Sequence, residues 1–288
     1  MEQPDNIRRL REIVSNCTLC PRNCRVERAA GELGACRIAG RAAVASFGPH
    51  FGEESTLVGS GGSGTVFFSG CNLGCVFCQN CDISQSSGGR QMSAGEIADI
   101  MLELASSGCV NINLVSPTHV AHAAAEAIWL ARGRGLAEPV VYNSGGYDAV
   151  STLRLLEGLV EIYMPDFKWA DALAGAKYSQ AADYPAVAAA ALGEMYRQVG
   201  VLRTDSAGLA TRGLLVRHLV MPHDLAGSHE VIDIVAAVAP GCAINVMGQY
   251  HPAHRAGQFP ELLANPSPTD VAELRRYASS CGLVRADH

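Results

Sequence analysis

The chain lacks long hydrophobic runs and has no strong excess of positive charge. No stretch of its 288 residues approaches the roughly 20 consecutive apolar residues that a membrane-spanning helix needs. The first sixteen residues are charged and amphipathic, without the apolar core of a secretory signal. A formal net charge of −6 gives no broad attraction for nucleic acid or anionic lipid. These absences predict a cytoplasmic protein with neither a membrane nor a nucleic-acid partner.

Cysteine, in contrast, is abundant. The chain has 11 cysteines, which is a high count for a reducing compartment, where disulfides are rare. Secreted disulfide domains are usually much shorter than this chain. Most of the cysteines lie in two tight clusters within residues 1–81. Clustered thiols in a reducing compartment indicate metal ligands.

The order of predicted elements indicates an α/β fold. Six predicted strands are continuous apolar runs, without the apolar–polar alternation of a half-exposed strand. Along the chain they alternate with predicted helices, as in a parallel sheet covered by helices. Both an open doubly wound sheet and a full or partial barrel satisfy this pattern. The predicted strands are 64–70, 110–115, 139–143, 159–166, 213–222 and 243–250. The predicted helices are 93–107, with a capping box from Ser93 to Glu96, 119–133, 148–157, 184–200, 226–238 and 268–280.

Polar residues follow each predicted strand. In parallel α/β folds the carboxyl ends of the strands lie at one edge, where chemistry is usually placed. Arg217 and His218 are neighbours on one strand, so at most one of them points inward. The residues expected at this edge are Cys71, Thr118, His119, Asn143, Ser144, Asp166, Lys168, Met221, Pro222, Gln249 and Tyr250.

The loop after the first strand carries Cys71, Cys75 and Cys78 as C-x3-C-x2-C. Three cysteines can bind three irons of a [4Fe–4S] cluster and leave the fourth iron open for chemistry. Gly70 and Gly74 allow tight turns around a bulky cluster, and Phe77 could shield one face of it. Two alternatives remain open: a zinc site, although zinc loops usually come as two C-x2-C halves, and buried cysteines without a shared role.

Five segments together resemble a known family: "SGTVFFSGCNLGCVFCQN", "NINLVSPTHV", "YNSGGYD", "YMPDFKWAD" and "GLLVRHLVMP". The first resembles the signature of the radical S-adenosylmethionine (SAM) superfamily. All five, in order over residues 15–255, resemble the iron–sulfur proteins that are similar to pyruvate formate-lyase activating enzyme. The resemblance implies a partial (β/α)6 barrel of the TIM type over 46–265, with the cluster at its top. We expect a metal-binding module at 1–45 and a helix packed on the barrel at 266–288.

The resemblance also implies SAM as a cofactor and suggests residues that contact it. Activating enzymes have a Gly-Gly-Glu segment after the second strand, and this chain instead has "VSPTH", which offers no carboxylate. Lys168 and Asp166 match an Asp-x-Lys segment near the SAM carboxylate. The cofactor-binding residues expected from the resemblance and from their positions are Phe77, Ser116, Thr118, His119, Asn143, Ser144, Asp166, Lys168, Arg217 and Gln249.

The second cluster places Cys17, Cys20, Cys24 and Cys36 as C-x2-C-x3-C-x11-C. Four thiols make a complete tetrahedral set, which suits either zinc or a fully ligated iron–sulfur cluster. Zinc would stabilise a small module with too little core to fold alone, whereas a cluster could pass electrons towards the SAM site. The spacing does not decide between zinc and an auxiliary cluster.

Three functions are compatible with these features. The first is a radical SAM enzyme that abstracts hydrogen from a partner protein, such as a glycyl-radical enzyme, and receives its electron from a donor such as flavodoxin or ferredoxin. The second is a radical SAM enzyme that modifies a small molecule or peptide. The third is a non-catalytic electron-transfer protein, which the open three-cysteine loop argues against. Many glycyl-radical activators carry a two-cluster insert after this loop, and this chain has only a short segment there.

Several remaining residues are expected to be less directly involved. Segment 170–183 is polar and rich in alanine and glycine, so it is predicted to be a lid or docking loop. Cys81 is expected to be inert. His122, His251 and His254 are predicted to lie on the surface.

Overall fold

The predicted alternation of strands and helices is present in the computed structural model, which describes residues 3–286. Each of the six predicted strand segments contains a strand, and these six lie side by side in chain order. Neighbouring strands among them pair in parallel. The strands are β1 Ala42–His50, β2 Ser63–Phe68, β3 Arg90–Met92, β4 Ile112–Val115, β5 Val140–Ser144, β6 Ile162–Pro165, β7 Arg203–Thr204, β8 Ala210–Leu219, β9 Ala243–Met247 and β10 Val284–Arg285.

The sheet order is β10-β9-β8-β6-β5-β4-β2-β1-β3, with β7 paired to β8. Thr65 pairs with Asn113, and Asn113 with Val141, so the ladders of β2, β4 and β5 are in step. The carboxyl ends of these parallel strands therefore lie at one edge, and the loops that follow them meet there. The fold is mixed α/β with a largely parallel sheet.

The sequence did not indicate the antiparallel edge formed by β1 and β3. Strand β1 pairs with both β2 and β3, and its register shifts between Val44 and Ser46. Its first three residues are buried, whereas most of the rest are exposed or half-buried. The chain then turns, and Glu53 and Glu54 direct buried carboxylates towards other strands.

The helices cover the sheet and agree closely with the predicted segments. Ser93 begins α4 with the predicted capping box, because its Oγ accepts from Glu96 N–H and Glu96 Oε2 accepts from Ser93 N–H at 2.8 Å. The helices are α1 Asp5–Ile13, α2 Ser55–Val58, α3 Cys81–Ser84, α4 Ala94–Ser106, α5 Ala121–Gly133, α6 Val150–Leu155, α7 Ala172–Ser179, α8 Tyr184–Val199, α9 Ser228–Val238 and α10 Pro268–Ser280.

Two predictions about surface features were wrong. Segment 170–183 is not a loop, because it contains α7, which Asp171 caps by accepting from Ala174 N–H at 2.9 Å. His122 is not on the surface: it is 6% exposed, and its Nε2 lies 2.8 Å from the Gly40 carbonyl oxygen. The cause is that α5 packs against both α1 and α4 and has few exposed positions. His251 and His254 are exposed, as predicted.

The N-terminal segment packs directly on the helices of the α/β fold. Ile7, Leu10 and Leu19 are fully buried and belong to the same apolar core as the strands. Asn6 Nδ2 donates to the Leu155 carbonyl at 2.9 Å and joins α1 to α6. Within residues 3–286, no helix has both the length and the apolar character needed to cross a membrane.

Candidate active site at the cysteine loop

The three-cysteine loop leaves β2 and is fixed on two sides. On one side Gly70 adopts φ +80°, and a Cβ there would lie 2.5 Å from the Cys36 carbonyl oxygen. Glycine is therefore required for the loop to approach the N-terminal segment. On the other side, Gly74 N–H donates to the Ser179 carbonyl at 3.2 Å and Val76 N–H to the Tyr178 carbonyl at 2.9 Å. The end of α7 thus holds the middle of the loop.

Each of the three thiols has a hydrogen-bonding neighbour. Cys75 Sγ lies 3.1 Å from Ser179 Oγ, and Cys78 Sγ lies 3.1 Å from Ser84 Oγ. Cys71 Sγ accepts from the Leu73 N–H at 3.4 Å. Either atom of the two hydroxyl–thiol pairs can donate, so an ionised sulfur would accept from each of these neighbours, and hydrogen bonds to an ionised acceptor are the strong ones.

Burial favours the protonated form of the Cys71 and Cys75 thiols unless a cation binds them. Burial raises the pKa of Cys71 to about 12, and the neighbouring Cys75 adds to the shift. Burial also raises the pKa of Cys75, which the charge of Lys168 partly offsets. A metal deprotonates the thiols that coordinate it. Three donor-assisted thiols on one loop therefore fit an iron–sulfur cluster with three protein ligands.

A cleft of about 240 Å³ opens beside Cys75 and Cys78. Of the residues that line it, seven were predicted as site residues: Cys75, Phe77, Cys78, Asp166, Lys168, Arg217 and Gln249. The sequence did not indicate four others, which are Gln79, Asn80, Leu219 and Met247. The structure thus brings polar residues from the ends of four different strands to one opening.

Two cations and one carboxylate form the charged wall of this cleft. Lys168 Nζ donates to Asp166 Oδ2 at 2.5 Å, and Arg217 Nε donates to Asp166 Oδ1 at 3.2 Å. Burial alone would raise the pKa of Asp166, but the charges of Lys168 and Arg217 outweigh it and hold that pKa below its ordinary value. Asp166 is therefore ionised at neutral pH and orients both cations.

Arg217 is held by further contacts that the sequence did not indicate. Its Nη2 donates to Asn143 Oδ1 at 2.6 Å, and its Nη1 donates to Glu53 Oε2 at 3.3 Å. Burial raises the pKa of Glu53, and the charge of Arg217 only partly offsets that shift. The prediction that only one of Arg217 and His218 faces inward is confirmed, because His218 instead bonds to Ser228 Oγ at 2.9 Å on the helix side.

Four other predicted SAM contacts lie away from this cleft, next to the strand ends. Thr118 Oγ1 and Ser144 Oγ donate to the buried carboxylate of Asp148 at 2.7 and 2.6 Å. His119 Nε2 lies 2.8 Å from the Ser69 carbonyl oxygen. Ser116, with φ +57°, is half-buried. These contacts connect loops to one another, and a role in SAM binding stays a prediction for all four.

The aromatic residues near the loop are packed against one another. Phe77 meets Trp169 edge to face at 5.6 Å between ring centroids, and Tyr250 at 6.1 Å. Trp169 Nε1 donates to Ser179 Oγ at 2.8 Å. Trp169 and Tyr250 are buried and serve packing, while Phe77 also lines the cleft. Ser179 was missed because its segment reads as a polar loop.

The second cluster, Cys17, Cys20, Cys24 and Cys36, lies between α1 and β1 in a series of tight turns. Cys17 N–H donates to the Val26 carbonyl at 3.1 Å, and Arg25 N–H donates back to the Cys17 carbonyl at 3.0 Å. A Cβ on Gly34 would lie 3.3 Å from Cys36 Sγ and 3.5 Å from Cys24 Sγ, so the missing side chain leaves space between these sulfurs. Across the described residues, no three Cys, His, Asp or Glu side chains are arranged to hold a single metal ion.

Comparisons with known proteins agree with this site. The family model of the radical SAM superfamily matches residues 65–166, which include the three-cysteine loop, Asn143 and Asp166. An uncharacterized protein, MJ0674 of Methanocaldococcus jannaschii, is 30% identical over 263 residues, which cover 88% of this chain and 71% of that protein.

Solved structures with low identity share the fold. A radical SAM methyltransferase from Sphaerobacter thermophilus is 16% identical with a TM-score of 0.56, over 78% of this chain and 66% of that chain. SuiB of Streptococcus suis bound to precursor peptide SuiA is 10% identical with a TM-score of 0.51, over 75% of this chain and 46% of that chain. This chain therefore spans less than two thirds of either solved protein.

Proposed function

The chain belongs to the radical SAM superfamily, and we propose that it reductively cleaves SAM at a [4Fe–4S] cluster held by Cys71, Cys75 and Cys78. The observation that carries the proposal is that Cys75 and Cys78 border a cleft whose wall is Lys168, Asp166 and Arg217, while Cys71 lies on the same short loop beside a neighbouring cavity. When bound, the cluster supplies one electron to SAM, which splits its S–C5′ bond into methionine and a 5′-deoxyadenosyl radical.

The charged wall suits the two ends of an amino acid. SAM carries a carboxylate and an ammonium group on its methionine part. Lys168 and Arg217 offer donors for the carboxylate, and Asp166 offers an acceptor for the ammonium group. Asn143 and Glu53 hold Arg217 in place, so it needs little rearrangement on binding.

The apolar part of the cleft suits the adenosyl group. Phe77, Leu219 and Met247 line the cleft together with the exposed amide of Gln249. These side chains would exclude water from the reacting C5′ position, and Gln249 would offer hydrogen bonds to adenine. Contacts of SAM with Ser116, Thr118, His119 and Ser144 would require loop rearrangement, because three of these side chains already have partners inside the protein.

The site lies in what we infer to be a partial (β/α)6 barrel. Glu53 contacts Asn113 on β4 at 3.0 Å and Arg217 on β8, while the adjacent Glu54 contacts Asn245 on β9 at 2.9 Å. In a flat sheet β4 and β9 would be roughly 19 Å apart, given strand spacings of about 4.8 Å. An inward curve of the sheet brings these strands within reach of two neighbouring side chains.

The proposed hydrogen donor is a partner protein, such as a glycyl-radical enzyme. This follows from the resemblance of the five sequence segments to activating enzymes, and the electron would come from a flavodoxin-like or ferredoxin-like donor in the cytoplasm. A peptide or small-molecule substrate is the second candidate, which the shared fold with SuiB in complex with a precursor peptide favours. Membership of an enzyme superfamily argues against a purely electron-carrying role.

The radical step is tested by anaerobic reconstitution with iron and sulfide, followed by reduction with dithionite in the presence of SAM. We expect 5′-deoxyadenosine from the wild type and from Cys281→Ala, a cysteine on α10's C-terminal side, and none from Cys75→Ala. Equal product from Cys75→Ala and the wild type would refute the assignment.

The substrate class is tested by deuterium transfer. Cells are grown on deuterated amino acids, and their extract is divided by ultrafiltration into a protein fraction and a small-molecule fraction. The reduced enzyme is then incubated with SAM and with each fraction separately. Deuterium in 5′-deoxyadenosine from the protein fraction supports a protein substrate. Deuterium from the small-molecule fraction alone would overturn that proposal in favour of the second candidate.

A further inference from the structure

Arg28 is a buried cation without a carboxylate partner. It is 1% exposed and is among the largest fully buried side chains of the described residues. Its Nε and Nη2 donate to the Ala39 carbonyl at 3.1 and 2.9 Å, and its Nη1 donates to the His119 carbonyl at 2.8 Å. Across residues 3–286 it forms no ion pair with a carboxylate. Its oxygen acceptors in this part of the chain are thus backbone carbonyls, which carry no net charge.

A guanidinium in this position requires a negative partner. Arginine stays protonated in proteins, and an unpaired buried charge is strongly destabilising. Sulfur atoms also lie next to Arg28. Its Nη1 lies 3.6 Å from Cys17 Sγ, and the empty Cβ position of Gly34 is 3.7 Å from Arg28 Cδ and within 3.5 Å of both the Cys24 and Cys36 sulfurs.

We propose that Cys17, Cys20, Cys24 and Cys36 bind a thiophilic metal centre as thiolates. In this proposal Arg28 balances the negative charge of the four thiolates and connects the metal centre to the three-cysteine loop. Four thiolates leave a net negative charge around either a zinc ion or an iron–sulfur cluster, so either would pair with Arg28, but a single zinc ion would first require the described thiols to move closer together. The shared chemistry is a metal bound by four thiolates, and the metal analysis below distinguishes the two.

The N-terminal segment contacts the catalytic loop on both sides of Cys71. Arg28 holds the His119 carbonyl, and the His119 ring holds the Ser69 carbonyl at 2.8 Å. The Cys36 carbonyl packs against Gly70. Arg22 Nε donates to the Asn72 carbonyl at 2.7 Å. Residues 69, 70 and 72 are therefore fixed by the segment that carries the four thiols.

Arg28 acts in this proposal as a positioning residue for Cys71. If metal binding organises the turns around Arg28, then loss of that metal loosens the end of β2 and the start of the loop. The metal-binding part is independent of radical chemistry, whereas the importance of Cys71's position rests on the proposed function. The experiments below therefore separate failure of one from failure of the other.

The first experiment measures metal in the full-length protein purified anaerobically from medium containing both iron and zinc. Iron, zinc and acid-labile sulfide are counted per chain in the wild type, in the double variant Cys20→Ser/Cys24→Ser and in the triple variant Cys71→Ser/Cys75→Ser/Cys78→Ser. We expect the triple variant to retain either one zinc or about four irons with matching sulfide, and the double variant to lose that complement only. A triple variant that binds no metal, while folded by circular dichroism, would refute the N-terminal centre.

The second experiment tests Arg28 by hydrogen exchange and chelator competition. Arg28→Met is compared with Arg28→Lys, which keeps the charge, and with Arg25→Met, an exposed arginine of the same segment. We expect Arg28→Met to lose the N-terminal metal to chelator at least about tenfold faster and to lower protection of residues 69–72 by a similar factor. Arg28→Lys should recover part of both, and Arg25→Met should match the wild type.

The outcome remains informative if Arg28→Met does not fold. In that case the test uses Arg28→Lys alone. A compact ammonium cannot reach Cys17, Ala39 and His119 together, so we expect metal retention between that of the wild type and complete loss. Wild-type metal retention and wild-type protection of residues 69–72 in Arg28→Lys and in any folded Arg28→Met would overturn the positioning role. Loss of metal without change in residues 69–72 would overturn the connection to the loop.

Discussion

The two cysteine clusters of this chain use the same ligand in opposite settings. At the three-cysteine loop, the sulfurs lie beside hydroxyl or amide groups, and Cys75 and Cys78 border a cleft with a mixed-charge wall of Lys168, Asp166 and Arg217. At the four-cysteine segment, tight turns enclose the sulfurs and a single buried arginine lies among them. Spacing alone gives the number of ligands. The side chains around the cysteines indicate whether a site serves catalysis or stabilises the fold.

The charges carry this difference. The cleft wall sets two cations, Lys168 and Arg217, against the carboxylate of Asp166, so it has a positive charge in excess for the carboxylate of a zwitterionic ligand and an acceptor for its ammonium group. Arg28 pairs with no carboxylate of residues 3–286, and in our proposal it depends on its sulfur neighbours for a negative partner. We expect substitutions in the first region to affect SAM chemistry and those in the second to affect metal retention and folding.

The largest contrast should come from the cysteines themselves. Cys75→Ser should lower dithionite-driven formation of 5′-deoxyadenosine by at least about a thousandfold, because the electron source for SAM is lost with the cluster. Cys20→Ser should retain measurable turnover, because a small chemical reductant can reach the loop cluster directly. Product is quantified by chromatography at equal protein concentration, and the iron content of each reconstituted protein is measured alongside. Equal losses in both variants would remove the proposed division between the two regions.

The next contrast concerns charge. Lys168→Met should raise the Kd of SAM by about 30-fold or more, because truncating one member of a buried charge pair typically costs 2–5 kcal/mol. Its matched control is Lys177→Met, which removes an exposed lysine paired with Glu261 at 2.5 Å and should change the Kd less than about twofold. Binding is measured by equilibrium filtration with reconstituted protein. An unchanged Kd in Lys168→Met would place SAM elsewhere.

The free energy of unfolding should decrease in acid partly because of His122, a buried histidine that contacts the N-terminal segment. Burial and the charge of Arg28 lower the pKa of His122 to about 4, so the folded protein binds fewer protons than the unfolded chain between that value and about 6.5. The contribution of neutral His122 is complete above pH 6.5 and is lost as pH falls towards 4. His122→Gln keeps a donor for the Gly40 carbonyl but cannot titrate.

Denaturant unfolding at pH 7 and pH 5 checks this expectation. The wild type should lose about 2 kcal/mol more of its free energy of unfolding than His122→Gln over this interval. Comparing the two proteins removes the effect of acid on bound metals, which both share. Parallel losses in the two proteins would show that folding does not lower the pKa of His122.

The smallest expected effect concerns the donors to the loop sulfurs. Ser179→Ala removes the hydroxyl that lies 3.1 Å from Cys75 Sγ, and a thiolate without this donor disfavours the reduced, more negative cluster. The midpoint potential of the loop cluster should fall by about 30–60 mV, which corresponds to roughly 1 kcal/mol for one electron. Ser280→Ala, on the exposed end of α10, is the control. A potential equal to that of the wild type would show that Ser179 does not contact the ligated sulfur.

Local patterns predicted the sheet and the cysteine loop well. Apolar runs located six of the strands that pair in parallel and missed only the two-residue β10 among the described residues, and strand alternation correctly separated Arg217 from His218. The expectation that polar residues meet at one edge followed from topology alone. These features depend on short-range periodicity or on the common direction of parallel strands.

Contacts between distant segments could not be predicted. Glu53 reaches Arg217 only because β1 returns antiparallel along the edge of the sheet, and nothing near Glu53 in sequence indicates this. Thr118 and Ser144 follow strands as expected, but the buried carboxylate of Asp148 occupies their hydroxyls. Ser179 was hidden in a small-residue helix that resembles a loop. Arg28 gave no local sign of burial.

The most direct test of the two-region account is electron paramagnetic resonance of the reduced, reconstituted protein with and without SAM. The account predicts that SAM changes the spectrum of the wild type and of Cys20→Ser/Cys24→Ser, because the open iron is in the loop cluster. It predicts no SAM-dependent change in Cys71→Ser/Cys75→Ser/Cys78→Ser. A SAM-dependent change that persists in the triple variant and disappears in the double variant would contradict the account and assign SAM to the N-terminal centre.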